Sequence, residues 1–277
     1  MKNNNRPNFL IAGVQKSGST YLDSLLREHK DIFLAQRTTN YSFFDNDQIY
    51  KKGVDWYLKI YSDANNNQLL GQTSVDCLFN RLAIQRILKL NPEIKLIFIL
   101  RHPISRSYSH YWHQIKMARE HLPFRKALQN ENEKTSKSYY NKRKFPYLGR
   151  SRYKSQFDNL FKYISEDKVL IIPFESFIKD ELTFLNKIFD FLSVDKINSK
   201  VELLKSNSIK TNPSRLPPKF IQKTSYLFRW SKITRFIFKL FLIEKRPPKI
   251  KEEDSKYLEQ VLKEDIIFYN SIKSNFE

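Results

Sequence analysis

Apolar positions in this chain gather into short continuous runs and into helical repeats, and the two kinds of segment alternate. Phe9-Leu10-Ile11-Ala12 has no polar break, the signature of a strand buried on both faces. A loop of small residues follows, and residues 20 to 28 resume with helical spacing. The chain is then irregular as far as Asp45, after which Gly53-Val54-Asp55-Trp56-Tyr57 opens a short helix. A second short strand is expected at residues 68 to 74. Between residues 80 and 90, Leu82, Ile84, Ile87, Leu88 and Leu90 recur with helical period, and Asn91-Pro92 closes that helix before a strand at residues 95 to 100.

Further helices are expected at residues 105 to 118, 153 to 164 and 183 to 192, with a strand at 168 to 172. Residues 129 to 147 are polar, basic and poor in aliphatics, which predicts a mobile surface loop. A proline-bearing polar loop is expected at 196 to 219, and residues 220 to 277 read as a C-terminal helical part. Within it, residues 226 to 243 form a helix candidate whose Arg229, Lys232, Arg235 and Lys239 share one face. That helix packs on the domain or touches a membrane surface as a peripheral contact, and its charges interrupt it too often for a bilayer span. Strands alternating with helices predict an α/β fold: a parallel sheet flanked by helices in three layers, α/β/α, as one domain over residues 1–277.

Composition narrows the partners. The chain has 277 residues, with 49 Lys and Arg against 29 Asp and Glu, a net charge of +20. Such a surface suits anions: nucleotides, nucleic acid, acidic glycans or lipid headgroups. The abundance of Lys, Asn and Ile is equally what a codon bias toward A and T would give, so the charge alone does not choose among these partners. The aromatics form no recognisable base-stacking motif, so specific nucleic-acid binding is not expected. Cys77 is the single cysteine and has no internal partner. With no apolar signal segment ahead of the first strand, a cytoplasmic location is expected.

The chemistry concentrates where strands end. Gly13-x4-Gly18-Ser19-Thr20 is nearly a Walker A loop, but its lysine stands at Lys16 instead of after the second glycine. Glycines allow the tight turn, and the helix that starts at Ser19-Thr20 presents backbone amides to an anion. The later strand ends in Arg101, where nucleotide hydrolases place a magnesium-binding carboxylate, so the loop is expected to work without a metal. Ser109 follows Arg101 by eight residues, within the first turns of the next helix. The forked guanidinium and the hydroxyl can serve one phosphate, which makes a second anion site beside the first.

On these residues the chain resembles the sulfotransferases that use 3′-phosphoadenosine 5′-phosphosulfate (PAPS). GVQKSGSTYL is similar to their 5′-phosphosulfate loop and LRHPISRSYSHYW to their 3′-phosphate segment. Phe43-Phe44-Asp45, Gly53-Val54-Asp55-Trp56-Tyr57, Ser151-Arg152-Tyr153, Phe174-Glu175-Ser176-Phe177 and Phe191-Leu192-Ser193-Val194 extend the likeness, closest to the heparan-sulfate and bacterial carbohydrate group, over residues 9 to 195. The resemblance implies a P-loop-like fold, PAPS as donor, no metal, and a carbohydrate or other small acceptor. It assigns the phosphosulfate to Lys16, Ser17, Gly18, Ser19 and Thr20, and the 3′-phosphate to Arg101 and Ser109. Lys16 would stabilise the leaving oxygen.

The general base departs from the pattern. Asn40 stands where heparan-type relatives carry a glutamate, Arg37-Thr38 supplies no acid in the alternative register, and Gln72 replaces the glutamate of a G-E-x-S pattern. An amide cannot take the proton. Asp45 is the leading substitute, ahead of Asp76, His110 and His113. The two amides leave open a catalytically impaired relative that binds PAPS or another anion. A P-loop kinase or NTPase is the third reading, which magnesium dependence would favour.

Overall fold

In the computed structural model, five apolar runs pair into one wholly parallel sheet: β1 (Phe9–Gly13), β2 (Ile32–Leu34), β3 (Leu69–Thr73), β4 (Lys95–Leu100) and β5 (Val169–Pro173). Their order is β2-β3-β1-β4-β5. The structure describes residues 6–36, 42–117, 119–197, 215–216, 243–244 and 247–276. Its helices are α1 (Ser19–Leu26), α2 (Asp47–Tyr50), α3 (Val54–Leu58), α4 (Arg81–Leu90), α5 (Pro103–Lys116), α6 (Phe124–Gln129), α7 (Glu131–Ser136), α8 (Tyr139–Lys144), α9 (Tyr153–Leu160), α10 (Phe174–Phe177), α11 (Glu181–Leu192), α12 (Glu252–Val261) and α13 (Lys263–Ser274). Contacts divide the chain into two compact units, one of residues 1–102, 153–209 and 267–277, the other of 103–152 and 210–266.

The first unit is the three-layer α/β/α fold expected from the alternation. Successive strand residues point to opposite faces. Leu10, Ala12, Leu96, Phe98 and Leu100 enter one core with Ala83, Ile84 and Ile87 of α4 and Phe157 and Leu160 of α9. Phe9, Ile11, Ile97 and Ile99 enter the other with Leu22, Leu25 and Leu26 of α1 and Leu185, Ile188 and Phe189 of α11. Each β1 and β4 side chain among these is fully buried, which is why their sequences show no polar alternation. Gly71 pairs in register with Phe9, whose ring occupies the space where a Cβ would stand. The caps behave as their residues suggest: Asn80 accepts from Leu82 N at the start of α4, and Asp180 from Thr183 N at the start of α11.

The second unit packs Ile104, Tyr111, Ile115, Phe124, Leu128, Phe145 and Tyr147 with Leu258 and Leu262. Residues 129 to 147, expected as a loop, contain α7 and α8 instead. Their stretch is tied down by aromatics and carboxylates, which an aliphatic count overlooks. Glu131 is buried and accepts from Leu148 N (2.6 Å) and Gly149 N (2.8 Å). Burial pushes its carboxyl above the usual value, and the backbone donors oppose that shift. Glu120, fully buried, accepts from Lys134 Nζ (2.8 Å) and the Tyr147 hydroxyl (2.7 Å).

Other differences are local. β2 forms where only irregular chain was expected, the helix expected at 105 starts at Pro103, and the expected C-terminal helical part shows two helices, α12 and α13, that meet at Leu262. The expected loop at 196–219 and helix at 226–243 lie outside the described residues except at their margins; Arg215–Leu216 and Ile243–Glu244 pair as antiparallel strands. Among the described residues, no helix is long and apolar enough to cross a membrane.

Candidate active site

The expected anion-binding groups of the first unit, the Lys16 loop and Arg101, lie past the carboxyl ends of its central strands β1 and β4. β1 stops at Gly13 and the chain turns back: Val14 N donates to Ile99 O (3.0 Å) and Ser17 N to Val14 O (3.2 Å). Lys16 adopts φ 74° and Gly18 φ 96°, both left-handed. For a lysine that conformation is uncommon, and such residues recur in loops that turn amides toward an anion. Gly18 caps α1 without a side chain, and no acid sits in the first turn, so the positive end of the helix is not neutralised from within.

The side chains fit an anionic group. Ser17 is fully buried, and its hydroxyl finds no partner among the described residues. A buried hydroxyl left so is costly unless a ligand meets it. Lys16 is half-buried, Ser19 buried and Thr20 exposed. Gly18 is required on two counts: its φ, and the Phe174 ring, whose Cε2 lies 2.5 Å from where a Cβ would stand.

Arg101 directly follows β4. Its guanidinium lies over the same Phe174 ring, 5.7 Å from the centroid, and its Nε is buried without a hydrogen-bond partner among the described residues. One aromatic ring thus meets both the loop glycine and the strand-end arginine, which brings the two expected anion sites to one edge of the sheet. The backbone around Arg101 is held from two sides. Its carbonyl accepts from the Tyr153 hydroxyl (2.9 Å), and the next amide, His102 N, donates to Glu175 Oε1 (3.2 Å). Glu175 Oε2 in turn accepts from the Tyr269 hydroxyl (2.5 Å), and the Tyr269 ring meets His102 edge-on at 5.5 Å. Ser109 belongs to the second unit, half-buried on α5.

Asp45 is buried, and its carbonyl accepts from Asn80 Nδ2 (3.2 Å), the residue that caps α4. The two phenylalanines before it are core residues: Phe43 stacks on Tyr57 at 4.4 Å and meets Phe44 edge-on at 5.2 Å. Two sequence motifs therefore close into one aromatic cluster. Gln72 lies in it too, with its Oε1 accepting from the Tyr57 hydroxyl (2.8 Å) and its buried Nε2 without a partner among the described residues. Burial holds the Tyr57 hydroxyl well above its usual pKa, so it stays a donor. A neutral amide takes that bond without bringing a charge into the core.

Of the weaker candidates, Asp76 is half-buried beyond β3. His110 is fully buried in the second unit, with its Nδ1 3.4 Å from Arg106 Nη1 and its ring 5.1 Å from that of Tyr147, while His113 is half-buried. Asn40 and the Arg37-Thr38 register lie outside the described residues. Among the described residues, no group of three or more His, Cys, Asp or Glu side chains could hold a metal ion. Phe174, Tyr153 and Glu175 were not expected in the site. The signal available was positional: each lies next to the end of a strand or the start of a helix within a shared motif.

A parallel sheet with a glycine-capped loop between its central strand and the first helix defines a P-loop-like α/β protein. The sulfotransferase domain family matches residues 6–266, and the chain belongs to it. It is 35% identical over 113 residues to a bifunctional heparan sulfate N-deacetylase/N-sulfotransferase 1 from Xenopus laevis, covering 39% of this chain and 13% of that one. It is 34% identical over 105 residues to heparan sulfate glucosamine 3-O-sulfotransferase 5 from Mus musculus, covering 38% and 30%. The chain thus spans less than a third of either relative's length. A sulfotransferase from Alicyclobacillus acidocaldarius has the same fold, with a TM-score of 0.61 at 23% identity, over 83% of this chain and 99% of that one.

Proposed function

We propose that this protein is a sulfotransferase that moves the sulfonate group of PAPS to a hydroxyl or amine, with a carbohydrate or glycan as the acceptor. The observation that carries the reading is the shared Phe174 ring, which meets both the Gly18 loop and the Arg101 guanidinium. The donor has anionic groups at both ends of its nucleotide, and two cation sites at one sheet edge suit it.

In this reading a bond forms between the acceptor oxygen or nitrogen and sulfur as the bond from sulfur to the bridging oxygen breaks. The leaving oxygen gains negative charge and the acceptor loses a proton. Lys16 meets the leaving oxygen, where a compact ammonium is worth most in the transition state. The buried Ser17 hydroxyl and the amides of Gly18, Ser19 and Thr20 hold the phosphosulfate, and Arg101 holds the 3′-phosphate. The assignment of Ser109 to that phosphate rests on the motif alone. Asp45 takes the proton, supported by its place after the paired phenylalanines and by the Asn80 bond that fixes its backbone. No metal takes part.

The two curated relatives support the acceptor class, since one is named for transfer to nitrogen and the other for transfer to oxygen on heparan sulfate. Incubation with radiolabelled PAPS and a panel of glycans, with and without a chelator, tests the reading. Label transferred at equal rates in both conditions is expected. Stoichiometric binding of the donor without transfer to any acceptor would leave only an anion-binding protein.

A further inference from the structure

The peptide between Arg101 and His102 has both of its polar groups taken, and neither partner comes from a strand. Its carbonyl accepts from Tyr153 at the start of α9, and its amide donates to Glu175 in α10. Tyr153 is fully buried. Glu175 is a carboxylate with a separate donor on each oxygen, since Tyr269 in α13 holds the second. All five residues belong to the first unit. The guanidinium beyond this peptide makes no hydrogen bond or ion pair of its own among the described residues and rests on the Phe174 ring. Its backbone and that ring therefore help to set where it points.

We infer that Tyr153 and Glu175 are positioning residues for Arg101: together they clamp the peptide that carries it, and so fix the aim of its guanidinium at the 3′-phosphate of the nucleotide. This inference rests on the proposed donor reading and deepens it. A long side chain loses rotamer entropy when it binds an anion, and a fixed root reduces what remains to be lost. The choice of carboxylate follows from the donor count. Two donors face Glu175 and an amide has only one oxygen to offer them, so Glu175→Gln keeps both partners only if the Tyr269 hydroxyl turns to accept from its Nε2, and it loses the charge that strengthens both bonds. Tyr153→Phe keeps the buried ring and removes the hydroxyl that donates to the Arg101 carbonyl.

The test is calorimetric titration of the full chain with adenosine 3′,5′-bisphosphate and with adenosine 5′-monophosphate, which lacks the 3′-phosphate. Glu175→Gln and Tyr153→Phe are each expected to weaken the bisphosphate by about three- to tenfold, the range of one hydrogen bond, and to leave the monophosphate unchanged. On an Arg101→Ala background neither should weaken the bisphosphate further. A merely structural role would weaken both nucleotides alike, or add to Arg101→Ala, and either result overturns the clamp. Should Arg101→Ala weaken the bisphosphate while both clamp variants bind normally, the clamp falls and the donor reading stands. Unchanged bisphosphate affinity in Arg101→Ala would overturn both. Thermal unfolding of each variant checks folding, and Tyr153→Phe carries the test if Glu175→Gln does not fold.

Discussion

Gly18 and Phe174 cannot be changed independently. An alanine at Gly18 would need a left-handed φ of 96° and would put its methyl 2.5 Å from the ring. The backbone conformation alone costs about 1–2 kcal/mol. Gly18→Ala should therefore lower the denaturant midpoint and weaken nucleotide binding, and pairing it with Phe174→Leu should recover part of the stability but not the φ cost. A double-mutant cycle with additive losses would show that the ring does not press on the loop. Lys16 is read through rates. Lys16→Ala should lower turnover about 100- to 1,000-fold, as loss of one transition-state donor does, while affinity for the desulfated nucleotide changes far less. Equal losses in both would remove Lys16 from the leaving oxygen.

At the scale of elements, the carboxylates of the second unit act as splints. Glu131 bridges two consecutive backbone amides with its two oxygens, and Glu131→Gln leaves one of them facing an NH2 group. A loss of about 1–3 kcal/mol is expected in denaturant titrations. Its pH dependence has a definite sign. Burial raises the folded value above the ordinary one near 4.5, so the group's contribution is fully present below that value and is lost as pH rises through the raised one. The Glu131→Gln variant should lack that component of the slope.

The same elements show what a sequence can reveal. β1, β4 and α4 were legible because a continuous apolar run or a clean helical period is a local property. The loop at Lys16 and the strand-end arginine were legible for the same reason. β2, with three residues, is too short to show any period, and α7 buries Glu131 where a reader looks for a leucine. The partners of Glu175 lie 73 and 94 residues away, a pairing that only the folded sheet edge creates.

For the whole molecule, the charge of +20 should favour encounter with anionic partners. At saturating PAPS, kcat/KM for a polyanionic glycan should fall steeply as salt rises toward and beyond about 0.15 M, where the screening length is about 8 Å, and a neutral acceptor should respond little. A flat salt profile for both would mean that the charge does not guide the acceptor. The strand order carries a different consequence, for biosynthesis. β1 lies at the middle of the sheet, yet the strands that cover its two edges are β3 and β4. At about 5–20 residues per second, a nascent chain carries that uncovered apolar strand for roughly four to seventeen seconds before β4 leaves the ribosome. The strand order thus exposes an apolar edge during translation, and slower synthesis lengthens that exposure.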